Sequence, residues 1–181
     1  MSLLWTAYFI SIWWTLAKLS GYILSIDQAS NIAGASLWYQ GALIATTTLV
    51  SKSADDPFSR RVQHQVPQLT AFLQKHLKPG HLVETVVFEG VRARLVMLTV
   101  GSFLTCPLIC AKVSEKHSFV ESSSWKKYAK ERGATEPFTR DVKGCKALRE
   151  IGFDLVKHGI TSDDVADSVL IYMCWRDRQV T

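Results

Sequence analysis

Hydrophobic and polar positions alternate after residue 20 in a pattern that predicts three consecutive β-strands. The first strand, over 22–27, is an apolar run ending on one carboxylate, and its period of two puts Asp27 on the same face as Ile23. After a short polar turn, the runs over 32–39 and 42–50 predict two antiparallel strands joined by a Gln-Gly turn. The three strands together form a meander.

Helical spacing then replaces the strand alternation. After a polar loop, apolar positions recur every three or four residues over 58–77, and a β-branched run predicts a strand over 82–89. A crossover of strand, helix and strand implies parallel pairing of 82–89 with 22–27. Asp27 and Glu89 would then lie at the same edge of the sheet.

The rest of the chain predicts one short strand and several helices. The long apolar stretch over 91–113 is expected to be helical, and 117–121 is expected to form a strand. Three further helices are expected: one over 125–133, with N-caps among Ser122 to Ser124, one over 141–158 and one over 161–176. This order predicts an α/β fold in which a mixed sheet, an antiparallel three-strand meander plus parallel strands, is flanked by helices.

Acidic residues stand at the ends of three predicted elements. Asp27 and Glu89 each end an apolar strand, and three aspartates open the last helix. Within that helix Asp167 lies four residues after Asp163 and three after Asp164, so either pair can share a face. Acids that come from separate elements in this way can converge on a divalent cation, and hard cations such as Mg²⁺ prefer carboxylate ligands.

Chain length, net charge and cysteine spacing indicate the general class of protein. The chain of 181 residues is long enough for one domain with its own core, and its formal net charge of +5 suits a polyanionic partner. The cysteines form no C-x-x-C pair and no zinc-ligand spacing. We interpret them as reduced core thiols of a cytoplasmic protein: Cys106, Cys110, Cys145 and Cys174.

The first 17 residues contain no charged side chain. A helix of this length spans roughly 25 Å, slightly less than the hydrocarbon core of a bilayer at roughly 30 Å. Three interpretations stay open: a membrane contact through 1–17, an apolar helix packed on the domain or on a partner, or an extension from an upstream start. We therefore separate a hydrophobic N-terminal extension, 1–20, from the domain at 21–181.

The motifs in the domain resemble those of RuvC-type Holliday-junction resolvases, within the ribonuclease H-like nuclease superfamily. ILSIDQAS is similar to the opening strand of that family, VVFEG to its glutamate strand, and DDVADSVLI to its closing helix with Asp-x-x-Asp. One departure is the pair Gln28 and Ala29, where the family commonly has Pro-Gly. SSSWKK and DVKGCK resemble two basic segments that contact DNA in such enzymes.

The resemblance implies a ribonuclease H-like fold, a homodimer and a branched DNA substrate, the four-way junction. A phage-encoded member would act in the cytoplasm of the host. The resemblance implies two Mg²⁺ ions, with Mn²⁺ as a substitute, bound by the catalytic residues Asp27, Glu89, Asp164 and Asp167. Asp163 is then a first-turn acid behind Ser162. The expected DNA-binding residues are Arg92, Arg94, Lys126, Lys127 and Lys143.

Two functions of different classes follow from these observations. The first is a metal-dependent, structure-selective endonuclease that resolves Holliday junctions or other branched DNA by paired phosphodiester nicks. The alternative is a non-catalytic nucleic-acid-binding or membrane-tethered module of the same fold, in which the acids are structural. Cleavage that requires Mg²⁺ separates the first from the second.

Overall fold

The computed structural model describes residues 21–29, 31–53, 55–90, 109, 112–113, 116–135 and 144–179. The strands are β1 (Tyr22–Asp27), β2 (Ile32–Tyr39), β3 (Ala42–Val50), β4 (Val83–Gly90) and β5 (His117–Glu121). The helices are α1 (Phe58–His76), α2 (Ser122–Glu131), α3 (Gly144–Glu150) and α4 (Asp163–Arg178).

The strands form one mixed sheet in the order β3-β2-β1-β4-β5. β1 to β3 are the antiparallel meander, while β4 pairs in parallel with β1 on one side and with β5 on the other. The register of Ile26 with Phe88 puts Asp27 and Glu89 at the same edge. The predicted meander, the crossover and the α/β class are therefore confirmed.

Each face of the sheet carries its own hydrophobic core. Leu24 and Ile26 of β1 face α1, which contributes Leu69 and Leu73. On the other face Ile23 packs in the core that α2, α3 and α4 cover. The alternation predicted for β1 thus divides its side chains between the two layers.

Helix α4 lies very close to the sheet over β2. A β-carbon at Gly34 would overlap the backbone carbonyl of Asp164, so only glycine fits there. The next residues on this face are the buried Ser36 and Trp38, and the ring of Trp38 stacks on Tyr172 with 3.9 Å between centroids. This close approach brings the first turn of α4 to the sheet edge that carries Asp27.

One helix prediction was wrong. In the described part of 141–158, the expected helix is observed only as α3, and residues 151–152 and 155–159 form turns instead. Gly152 adopts a φ of 84°, its N–H donates to the carbonyl of Arg149, and Phe153 N–H donates to that of Leu148. This left-handed glycine ends the helix, although the apolar spacing continues past it.

Two further predictions lie outside the described residues. These are the N-terminal extension, 1–20, and the helix over 91–113 except for residues 109, 112 and 113. Val113 forms an isolated parallel bridge with Val83. Among the helices that the structure describes, none is long and apolar enough to cross a membrane.

Candidate active site

Carboxylates from three elements meet at the edge of the sheet where β1 and β4 end. Asp27 and Glu89 come from these two neighbouring strands, and Asp164 and Asp167 come from the first turns of α4. Gly34, the cross-strand partner of Asp27, is also the residue against which Asp164 packs. The topology therefore brings together the four acids that the sequence selected.

Burial and neighbouring negative charge raise the pKa values of Asp27 and Asp167. Burial is the main cause that raises the pKa of Asp27 well above its ordinary value of 3.8. The negative charges that add to this effect are, in order, those of Glu89, Asp167 and Asp164. Burial, followed by the charge of Glu89, raises the pKa of Asp167 to about 7. Asp27 also shares a side-chain hydrogen bond with Glu89, which raises its pKa further.

Helix α2 holds the Glu89 carboxylate from the other side. Ser122 Oγ donates a hydrogen bond of 2.5 Å to Glu89 Oε1, and Trp125 Nε1 donates one of 3.0 Å to the same oxygen. The prediction that one of Ser122 to Ser124 caps this helix was wrong, because the helix already begins at Ser122, its N-cap residue is Glu121 and no side chain caps it. Neither contact with Glu89 was predicted from the sequence, although Ser122 and Trp125 are three residues apart and so share a helical face.

The two candidate first-turn aspartates of α4 have different surroundings. Asp163 Oδ1 accepts a hydrogen bond of 3.2 Å from the backbone N–H of Cys145, at the start of α3. Asp164 accepts one of 3.2 Å from Ser162 Oγ, and its charge acts on both Asp27 and Asp167. The charge of Asp163 also raises the pKa of Asp167, more than that of Asp164 does, but it is not among those that raise the pKa of Asp27. Asp164 is therefore the first-turn aspartate whose charge acts on both of these acids.

Helix α3 leaves space for Asp167. A β-carbon at Gly144 would overlap Asp167 Oδ1, an oxygen that is buried and accepts no hydrogen bond from the part of the chain that is described. Burial, followed by the charge of Asp163, raises the pKa of the Cys145 thiol to about 11. This thiol is therefore protonated at neutral pH and adds no charge to the cluster.

Of the five predicted DNA-binding residues, Lys126 and Lys127 lie within the described residues. The charge of Lys126 lowers the pKa of Asp167, and its ammonium group lies 5.1 Å from the ring centre of Trp125. Lys127 is exposed and pairs with Glu131 at 3.7 Å. Arg92, Arg94 and Lys143 lie outside the described residues, so their role stays a prediction.

The residue types at this edge fit a hard divalent cation. Four carboxyl groups lie in this site, and the charge of Lys126 acts on one of them, Asp167. Their mutual repulsion in a partly buried site is relieved either by bound protons or by a cation. As they stand, no three acidic, histidine or cysteine side chains among the described residues converge tightly enough to hold one ion. Binding a cation would therefore require Asp27 and Glu89 to give up their mutual hydrogen bond.

We expect the metal-free protein to lose stability as the pH rises from about 4 to about 7. A carboxyl whose pKa is higher in the folded chain stabilises the fold while it is protonated, and this stability is lost as the pH passes the folded value, about 7 for Asp167. Asp167→Asn should remove the repulsion and raise the Tm at neutral pH by about 4–8 °C, since a gain of about 2 kcal/mol moves the Tm of a domain of this size by that amount.

The measurement is thermal unfolding in EDTA at several pH values, followed by addition of Mg²⁺ at neutral pH. Mg²⁺ should raise the Tm of the wild-type protein more than that of Asp167→Asn. The control is Asp55→Asn, which changes an exposed loop aspartate and should alter the Tm by about 1 °C or less. A Tm in EDTA that does not fall between these pH values would contradict the prediction.

Comparison with known proteins gives a structural match. No protein-family model and no curated protein matches the sequence. Among solved structures, the chain is similar to Thermus thermophilus RuvC in complex with a Holliday junction substrate, with a TM-score of 0.55 and 14% sequence identity. The match covers 88% of this chain and 96% of the RuvC chain. The protein therefore has a ribonuclease H-like fold.

Proposed function

We propose that this protein is a metal-dependent, structure-selective endonuclease that resolves four-way junctions or other branched DNA by paired nicks. The observation that carries the proposal is the convergence of Asp27, Glu89, Asp164 and Asp167 on one sheet edge, with Lys126 beside them. The solved structure to which the fold is similar is a RuvC bound to a Holliday junction, which supports the nuclease class and a branched substrate.

The chemistry follows from the types and burial of these side chains. Two Mg²⁺ ions held by the carboxylates would activate a water and stabilise the charge that develops on the phosphate and on the leaving oxygen. Asp27 is the central acid, because the charges of the other three act on it. Glu89 is restrained at one oxygen by Ser122 and Trp125, and we propose that its carboxylate exchanges the hydrogen bond with Asp27 for a metal ion.

Basic residues beside the acids would neutralise DNA phosphates. Lys126 lies close to the cluster, since its charge acts on Asp167. We propose that Lys127, Arg92, Arg94 and Lys143 extend this contact, that affinity falls steeply with salt, and that the junction is selected by shape. A homodimer would supply the second active site that paired nicks require.

The test is cleavage of a synthetic four-way junction by the purified full chain, with a linear duplex of the same sequence as control. We expect paired nicks in strands of like polarity in Mg²⁺ or Mn²⁺, none in EDTA, and little cleavage of the duplex. Tight binding of the junction without cleavage in either metal would overturn the proposal and favour the non-catalytic binding module. Equal cleavage of both substrates would retain a nuclease but remove the selectivity for branched DNA.

A further inference from the structure

Gln28, which follows Asp27 directly, binds the backbone of the neighbouring strand at two points. Its side-chain Nε2 donates a hydrogen bond of 2.5 Å to the carbonyl oxygen of Glu89, and the Glu89 N–H donates one of 3.1 Å to Gln28 Oε1. The side chain is 2% exposed, so water does not compete for these bonds. β1 ends one residue earlier, at Asp27, and the amide of Gln28 takes the place of one further backbone peptide in the parallel ladder.

We propose that Gln28 is a positioning residue that fixes the Glu89 carboxylate opposite Asp27. In a strand, the directions of the N–H and C=O groups determine the direction of the Cα–Cβ bond. Bonds to both backbone groups of Glu89 therefore aim its side chain. This inference rests on the proposed function, in which Asp27 and Glu89 bind the same cation pair.

The amide is the side-chain group that meets this requirement. The side chain must accept a hydrogen bond from the Glu89 N–H through an oxygen and donate one to the Glu89 carbonyl through a nitrogen. It must also be long enough to reach both groups from position 28. Glutamate would set a carboxylate against the carbonyl of Glu89 and add a charge next to Asp27. Asparagine is one methylene shorter. Gln28, which stands where the resembled family commonly has proline, thus makes a specific contact with the backbone of Glu89.

The chain contains a matched control at a different place. Gln68 makes the same two-point contact with the backbone of Val50 at the end of β3. Gln68 Nε2 donates a hydrogen bond of 2.7 Å to the carbonyl oxygen of Val50, and the Val50 N–H donates one of 3.0 Å to Gln68 Oε1. Val50 is not part of the acidic cluster. A substitution at Gln68 removes the same kind of contact and leaves the carboxylates unchanged.

The experiment compares Gln28→Met and Gln28→Asn with Gln68→Met. Methionine keeps the length and volume of glutamine but removes both hydrogen bonds. Binding of Mn²⁺ is followed through the electron paramagnetic resonance signal of the free ion, at a temperature where every variant is folded, and the Mg²⁺ midpoint of junction cleavage is measured in parallel. Both substitutions at Gln28 should weaken Mn²⁺ binding and raise the Mg²⁺ midpoint by about 10- to 100-fold, because residues that orient metal ligands have effects of this size.

Gln68→Met should lower the Tm and leave both metal midpoints unchanged. If the Gln28 variants also have a lower Tm and unchanged Mn²⁺ and Mg²⁺ midpoints, Gln28 is merely structural and the inference is overturned. Wild-type protein that binds Mn²⁺ but cleaves no junction would overturn the proposed function, and the Mn²⁺ affinities would still decide the role of Gln28. Wild-type protein that binds no Mn²⁺ would overturn the inference, because Gln28 would have no metal ligand to position.

Discussion

Asp27→Asn is expected to reduce cleavage of a four-way junction by about 1,000-fold or more, since the loss of even one stabiliser of transition-state charge costs about 100- to 1,000-fold. Asp27 is the central carboxylate, with the charges of three others acting on it. Asparagine keeps the shape of the side chain but cannot carry the charge that two divalent cations need. Binding of the junction should persist, because removing an acid reduces repulsion of the phosphates.

Single-turnover cleavage and a gel-shift titration in EDTA measure these two quantities separately. The matched variants are Asp164→Asn, expected to lose cleavage to a similar extent, and Asp163→Asn, expected to stay within about threefold of the wild type because its carboxylate bonds to the Cys145 N–H. If Asp163→Asn were inactive and Asp164→Asn active, the roles of the two neighbours would be exchanged. Full activity of Asp27→Asn would contradict the nuclease proposal itself.

Gly34→Ala is expected to lower stability by about 3 kcal/mol, which corresponds to a fall in Tm of about 6–12 °C for a domain of this size. The added β-carbon would overlap the backbone carbonyl of Asp164, and backbone cannot move aside as a flexible side chain can. Helix α4 would have to shift away from β2. Because Asp164 and Asp167 belong to the first turns of that helix, cleavage should fall even in the fraction that remains folded.

The control for this substitution is Gly41→Ala in the turn between β2 and β3. Gly41 has a φ of 81° and nothing within 4 Å of the added β-carbon, so the cost is backbone strain alone, about 1–2 kcal/mol. Thermal unfolding and cleavage measured well below both Tm values test the pair. If Gly34→Ala were no more destabilising than Gly41→Ala, or if its folded fraction kept full activity, the close contact with α4 would not position the acids.

Local patterns predicted most of the elements of the domain. The three strands of the meander have the predicted bounds, and β4 and α1 differ from prediction by one residue at their ends. Strand alternation and helical spacing depend on residues that are close together in the chain, so both can be recognised from the sequence alone. Helix α3 was the exception, since a left-handed glycine ended it while the apolar spacing continued through Gly152 and beyond.

The contacts that surround the acids were not predictable in this way. Ser122 and Trp125 bond to Glu89 from more than 30 positions away, at separations of 33 and 36 residues. Ser122 was predicted only as one of three serines that could cap the helix, which is a common role of serine. Gln28 was noticed only as a departure from a family pattern, and nothing in the local sequence indicates that its amide reaches Glu89 across the sheet.

The sequence by itself determined which residue types are available and which element carries each of them. It selected Asp27, Glu89 and the aspartates of the last helix, and the crossover rule brought the first two to one sheet edge. Only the tertiary structure decided how close the acids are, because that distance depends on the approach of α4 over Gly34 and of α2 to Glu89. The physical reason is that burial and mutual charge, which raise the pKa values of Asp27 and Asp167, arise from packing between elements that are distant in the chain.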